Sequence, residues 1–382
     1  MTLNAIIIGA GIGGLSAAIA LDKVGVNARV FEKASELKDV GAGIILYPNA
    51  LNALRKLDVF DDVACEGSFA ADGKYTNSSG KILVQLDLRT VGLAHGLLAI
   101  HRADLQRALA SKVGLDNIRL GMTCERFEQS GNIVTAQMSD SSSVTGNLLI
   151  GADGLHSAIR GQVLGDGQPR YSGSFAWRGV SALPHSAMPP DSGFICFGRG
   201  LQFGATHIGK GRIYWFGAVA NANGVQHRRT KTDVLSIFGR WPAPIEKLIQ
   251  ATPDDEILAH DLFDRDPSLN WGRGLVTLLG DAAHPMTPYM GQGGCQALED
   301  SIALAAALKS EPDTATALRQ YESMRRDRTS NFVLQSRKAQ AMSMTNSRLL
   351  SWVRDALLPM FPPKLVMEQF HTLANYQMPD IE

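Results

Sequence analysis

Glycines and carboxylates occur together at widely separated places in this chain, in patterns suited to holding phosphates and hydroxyls. Gly9, Gly11 and Gly14 in AIIIGAGIGGLSAAIAL follow G-x-G-x-x-G. The first glycine permits a tight turn, the second lets backbone approach a pyrophosphate, and the third lets a helix pack on a strand. Glu32 ends the next strand-like run, NARVFEK, where a carboxylate can accept hydrogen bonds from a ribose diol. Far downstream, LLGDAAHPMTPYMGQGGCQALED places Asp281 after an apolar run, then Pro285 and Pro288, then Gly291, Gly293 and Gly294. A helix opened by such glycines offers free N–H groups and a positive dipole end to an anion or an electron-rich carbonyl. The chemistry indicated is dinucleotide binding. The first motif alone does not separate FAD from NAD.

The elements that must position these residues can be read from the same runs. Residues 5–8 are a short, wholly apolar strand of the kind buried in a parallel sheet, residues 15–21 continue as helix, and Gly25 ends it. GLVTLLGD is another apolar strand, and ligands of open α/β sheets lie beyond the carboxyl ends of strands. Asp281 is therefore expected to point at the ligand that Glu32 holds, with the two prolines stiffening the loop between.

The 382 residues suffice for two or three domains, and 45% hydrophobic with 19% charged residues is an ordinary globular composition. Lys plus Arg and Asp plus Glu both number 37, so no net field steers the chain to nucleic acid or anionic lipid. Cys65, Cys124, Cys196 and Cys295 lie far apart and read as free thiols in a reducing compartment. No stretch has the length of a membrane span, and the expected setting is cytoplasmic.

The sequence resembles the single-component, FAD-dependent aromatic hydroxylases of the para-hydroxybenzoate hydroxylase type, near the salicylate, urate and alkylquinolone hydroxylases. Three motifs in order carry the resemblance: Gly9 to Gly14 with Glu32; Asp153-Gly154 in LLIGADGLHSAIR; and the run around Asp281. It implies an α/β fold, with a Rossmann-like FAD-binding domain, an inserted antiparallel-sheet substrate domain and C-terminal helices. The expected divisions are 1–70, 96–168 and 256–335 for the discontinuous FAD-binding domain, 71–95 and 169–255 for the substrate domain, and 336–382 for the helices.

By the same resemblance, FAD is contacted by Gly9, Gly11, Ile12, Gly13, Gly14, Leu15, Glu32 and Lys33, and by Gly43 and Ile44, with Gly41 beside them. Arg102 and Gln106 would reach the diphosphate and ribityl region, Cys124 would offer backbone to the adenine, and Asp153 belongs to the central motif. Asp281 would bind the ribityl chain. Pro288 would lie at the reactive edge of the ring, with Gly291, Gln292, Gly293 and Gly294 stabilising negative charge on it. Arg55 is the nearest arginine to the loop around Gly43.

The resemblance implies NAD(P)H as transient co-substrate, molecular oxygen, a flavin C4a-hydroperoxide and hydroxylation of a planar aromatic or heteroaromatic small molecule, by a monomer or homodimer. Rival readings are a flavin-dependent reductase or oxidase without oxygen insertion, and a non-catalytic flavin-binding protein. The halogenase motif W-x-W-x-I-P is absent. No residue must be a general base, and His207 and His284 read as structural.

Short alternating runs in 71–95 and 170–240 are expected to form one sheet over the flavin. Gln202 and Tyr214 are expected to face the substrate, with Phe203, Arg178 and Pro288 also lining its pocket. Urate-type relatives tend to have an arginine where Gln202 stands, which favours a neutral substrate here over urate and small carboxylates, with Arg199 and Arg178 as the remaining candidates to hold an anion. The run YESMRRDRTSNFVLQSRKAQ reads as a solvated basic helix face. RLLSWVRDALLPMF reads as an amphipathic helix packing over the pocket or against a second subunit.

Overall fold

The apolar run at the start of the chain forms the strand Asn4–Ile8, and Asn27–Glu32 lies parallel beside it. Leu148–Gly151 flanks Asn4–Ile8 on the other side, followed by Val276–Leu278, also parallel. Ile118–Leu120 and the antiparallel Gly272–Arg273 complete a six-stranded sheet. Its inner strands are apolar on both faces because both are covered: Ile7 meets the helix Ile12–Lys23 at Gly14, and Ile6 on the other face meets Gly146 of the small antiparallel sheet Cys124–Ser130, Ile133–Met138 and Ser143–Gly146. Ile12–Lys23 packs against Gly293–Ser310 and against Arg102–Val113. The computed structural model describes residues 3–37, 42–91, 96–183, 188–221 and 230–362, with 368, 372–373 and 375–381. Gly41 lies outside the described residues.

A second, seven-stranded sheet runs in the order Leu258–Asp264, Arg170–Ala182, Arg212–Ala220, Leu201–His207, Ser192–Phe197, Asp72–Asn77, Ile82–Asp87. Strands from both expected blocks thus share one sheet. Its edge runs past the expected limit at residue 255, because Leu258–Asp264 pairs antiparallel with Arg170–Ala182. Smaller antiparallel sheets join Gly43–Leu46, Leu97–His101 and Ser68–Ala70, and Cys124–Ser130 with its two following strands.

The two faces of the large sheet differ in what covers them. On one, Trp177, Phe203 and Trp215 pack beneath Phe238, Leu248 and Ile249 of the helices Lys231–Phe238 and Ile245–Ala251. On the other, Gln202, Gly204 and Thr206 lie opposite Ala218, Phe216 and Tyr214, and Phe216 lies opposite Arg178. Tyr214, Phe216 and Val180 on that face pack with Ala42, Ile45 and Ala99 of the cofactor-side sheet and its entry loop.

Candidate functional site: the carboxyl edge of the parallel sheet

Four parallel strands end at Ile8, Glu32, Gly151 and Leu278, and the loops that follow meet one another. Gly9 has φ 108°, and a Cβ there would overlap the carbonyl oxygen of Ala152, so the first loop and the Asp153 loop touch backbone to backbone. Gly13 approaches Leu279, with 2.7 Å between the place of its missing Cβ and the leucine Cδ2. Motifs some 270 residues apart in sequence are therefore one surface, as the wound sheet requires.

Glu32 anchors this edge. Its Oε2 accepts from Ala10 N at 2.8 Å and its Oε1 from Ala34 N at 3.0 Å, while the residue stays partly exposed. Gln106, one turn into Arg102–Val113, donates to Ala10 O at 2.6 Å and so braces the glycine loop. Arg102 is exposed and has no hydrogen-bond or ion-pair partner for its guanidinium among the described residues. Lys33 is likewise exposed. Arg55 is elsewhere: its guanidinium lies 4.1 Å over the Phe60 ring.

Some expected contacts are taken up within the protein. Leu15 is wholly buried in the core and its N–H donates to Gly11 O, so it keeps no group for a ligand. Ile12 is buried in the first turn of the same helix. Asp153 accepts from Ser157 Oγ at 2.5 Å and Ala158 N at 2.8 Å, capping Ala158–Leu164, and burial pushes its carboxyl up. Cys124 opens the strand Cys124–Ser130 rather than ending one. Burial, then the nearby Asp153 carboxylate, push its thiol up to about 11, which keeps it an apolar filler.

The corner around Asp281 is built differently. Asp281 is exposed and its carboxylate makes no hydrogen bond among the described residues, and its Oδ1 lies 3.6 Å from the place of a Cβ on Gly293. The helix Gly293–Ser310 starts there with no side-chain cap. Gly291 has φ 64°, and a Cβ would come within 2.8 Å of the Tyr47 ring. Gly294 faces Ile44 at 2.7 Å, and Gly43 lies so close to the Tyr214 ring that a side chain would overlap it. Gln292 is fully buried, its Oε1 accepting from Asn49 and Gln296 at 3.0 Å each. Pro288 is exposed beside Tyr289, whose hydroxyl donates to Ser174 Oγ at 3.0 Å and ties this loop to the second sheet.

Behind the corner lies a charge cluster that the sequence reading missed. Arg325, read as part of a solvated face, is completely buried and donates to Glu299 Oε2 at 2.6 Å and Asp300 Oδ1 at 2.7 Å. Asp300 Oδ2 meets His284 Nε2 at 2.6 Å and accepts from Gly280 N at 3.1 Å. Burial raises both carboxyls, but Arg325 with Arg328 and Asn49 holds Glu299 low, and His284 with Arg325 holds Asp300 low. His284 is thus a structural partner, and His207 sits buried against Met188 O at 3.2 Å.

On the sheet face toward this corner, Gln202 is buried yet its amide bonds to nothing among the described residues. Arg178 is half-buried there without an ion-pair partner among them, near enough to act on the Tyr214 and Tyr289 hydroxyls. Phe203 does not join them. It points to the opposite face, stacked on Trp215 with ring centroids 5.6 Å apart.

The arrangement suits FAD. Open backbone, a tethered Glu32, an unengaged Asp281 and an uncapped helix end share one edge. Comparison with known proteins agrees. The FAD binding domain family matches residues 2–336. The chain is 39% identical over 361 residues to an aurachin C monooxygenase/isomerase of Stigmatella aurantiaca, covering 94% of each. It is 37% identical over 342 residues to an FAD-dependent urate hydroxylase of Klebsiella pneumoniae, covering 88% of this chain and 89% of that one. The crystal structure of Klebsiella pneumoniae HpxO complexed with FAD and uric acid superposes with a TM-score of 0.92 at 33% identity, covering 97% of this chain and 96% of the other. A salicylate hydroxylase complex at 22% identity shares the fold, with a TM-score of 0.78 over 99% of this chain and 98% of that one. With its parallel sheet, its glycine edge and these relatives, the chain belongs to the FAD binding domain family, in the branch of the single-component FAD-dependent aromatic hydroxylases.

Proposed function

We propose that this protein is an NAD(P)H- and oxygen-dependent monooxygenase that hydroxylates a planar, largely uncharged aromatic or heteroaromatic ring, such as a phenol or quinolone. The observation that carries the substrate class is Gln202, a buried neutral amide on the sheet face toward the flavin corner with no partner among the described residues. FAD supplies hydride acceptance and oxygen activation; the protein supplies orientation, charge and exclusion of water. Asp281 would hold the ribityl hydroxyls, Glu32 the ribose, and Arg102 the diphosphate. The uncapped end of Gly293–Ser310 favours negative charge at the corner. Gln202 can donate to or accept from a ring oxygen without burying a charge, and Arg178 can stabilise that oxygen once it has lost its proton, the form in which the ring is most electron-rich toward an electrophile.

The test is flavin reduction by NAD(P)H in stopped flow, with a panel of neutral aromatics and matched carboxylates, followed by labelled-oxygen incorporation. Neutral rings should accelerate reduction and carry the label. Gln202→Arg should weaken them by leaving a second cation without a partner. Stimulation by carboxylates alone would make the pocket anion-binding through Arg178. Rapid reduction with no label incorporated would favour the reductase or oxidase reading.

A further inference from the structure

The C-terminal helix Arg348–Leu357 has two unlike sides. Inward, Arg354 is buried, donating to Gly198 O at 3.2 Å and Ser343 O at 3.1 Å with its guanidinium 4.9 Å over the Phe197 ring. Gly200 N donates to Thr345 O at 2.7 Å just before the helix. Outward, Leu349 is 68% exposed, Leu350 56%, Trp352 67% and Leu357 44%, and the apolar surface continues through Met360 at 74% and Phe361 at 50%. Six large apolar side chains at one end of the molecule exceed the scattered exposure ordinary for a surface. The rim is basic. Arg348 and Arg199 are exposed with no ion-pair partner among the described residues, whereas Asp355 is closed on Arg354 at 2.8 Å.

We propose that this helix docks the protein onto the surface of an anionic lipid bilayer, lying in the headgroup plane. Two arguments favour a bilayer over a second copy of the chain. A second copy would bring the same basic rim, so Arg348 and Arg199 would meet no free carboxylate of the patch, where Asp355 is already closed on Arg354. A bilayer needs no complementary surface. It takes a tryptophan and leucines beneath its headgroups and attracts arginines to them. No helix among the described residues is long and apolar enough to cross a membrane, so the contact is peripheral. Leu358, in the turn after the helix, packs with the cluster of Phe197, Ile195 and Tyr75, and Phe197 pairs in register with Gln202. Docking therefore couples the bilayer to the strands of the substrate face. The proposal stands apart from the reading of the reaction.

The FAD-loaded full chain is spun with vesicles of phosphatidylcholine alone and with a third phosphatidylglycerol, at low and high salt. The protein should pellet with anionic vesicles at low salt, at least about tenfold more than with neutral ones or at high salt, with a blue shift of emission that Trp352→Phe removes. The combined variant Leu349→Gln, Trp352→Gln, Leu357→Gln should lose binding about tenfold or more at unchanged FAD content and melting midpoint. Arg348→Ala should cost about fivefold on anionic vesicles only. Wild-type protein that stays in the supernatant with every vesicle overturns the proposal. So does a combined variant that binds like wild type, or a concentration-dependent dimer that the same variant abolishes.

Discussion

Replacing Asp281 by alanine separates cofactor binding from folding, because of how the carboxylate is placed. It is exposed, makes no hydrogen bond among the described residues and caps no helix. Removing it leaves no buried group unpaired, so apoprotein stability should change by no more than about 0.5 kcal/mol. With FAD bound, the same carboxylate would accept from ribityl hydroxyls, a charge-assisted interaction of about 1.5–3 kcal/mol. At about 1.4 kcal/mol per factor of ten, the dissociation constant for FAD should rise about 10–150-fold. Stripped protein is titrated with FAD by fluorescence quenching, and the melting of both forms is recorded. The apo midpoint should match wild type while the stabilisation added by FAD shrinks. Glu32→Ala is the contrasting case: Ala10 N and Ala34 N would lose their acceptor, so the apoprotein should also weaken, by about 1–3 kcal/mol. An unchanged FAD affinity in Asp281→Ala, or an apo midpoint that falls as far as the holo one, would refute the assignment.

The remaining expectations concern the corner and its support. A Cβ on Gly293 meets nothing nearer than 3.6 Å, so Gly293→Val should fold normally yet slow flavin reduction by NAD(P)H in stopped flow; wild-type rates would place the ring elsewhere. Arg325→Met leaves Glu299 and Asp300 buried without their shared cation and should cost about 3–5 kcal/mol in denaturant unfolding. Both carboxyls are held below their unfolded values. Their contribution is therefore full above the ordinary carboxylate range, about pH 4, and is lost as pH falls through the depressed folded values. The difference between wild type and Arg325→Met should accordingly be largest near neutrality and narrow on acidification; a constant gap across pH would remove the ion pairs from the explanation.

The cofactor half was readable because its signals are local. An apolar strand, a glycine turn and a terminal acid each follow from backbone geometry within a few residues, and the structure places Gly9, Glu32, Gln106 and Asp281 along one edge. Residues whose place depends on distant partners were read less well. Gln202 and Phe203 are neighbours in one strand and must point to opposite faces, so only one could line the pocket. The helices Lys231–Phe238 and Ile245–Ala251, which claim Phe203, enter after it in sequence. Leu258–Asp264 joins the second sheet by a pairing with a strand some ninety residues earlier, which no composition shift marks.

Arg325 shows the same limit and explains how the corner keeps its shape. MRRDR carries the pattern of a solvated helix, and nothing near it in sequence says that Glu299 and Asp300 on the preceding helix face it. Yet that pairing reaches the site. Asp300, held by Arg325 and His284, accepts from the N–H of Gly280, the residue before Asp281. Tyr289 is pinned to Ser174 at the other end of the same loop. The backbone on both sides of the corner is therefore fixed by buried partners, while the Asp281 carboxylate between them stays uncommitted. A rigid frame around an unengaged group lowers the ordering cost of binding, and this division of labour follows from where each carboxylate's hydrogen bonds go.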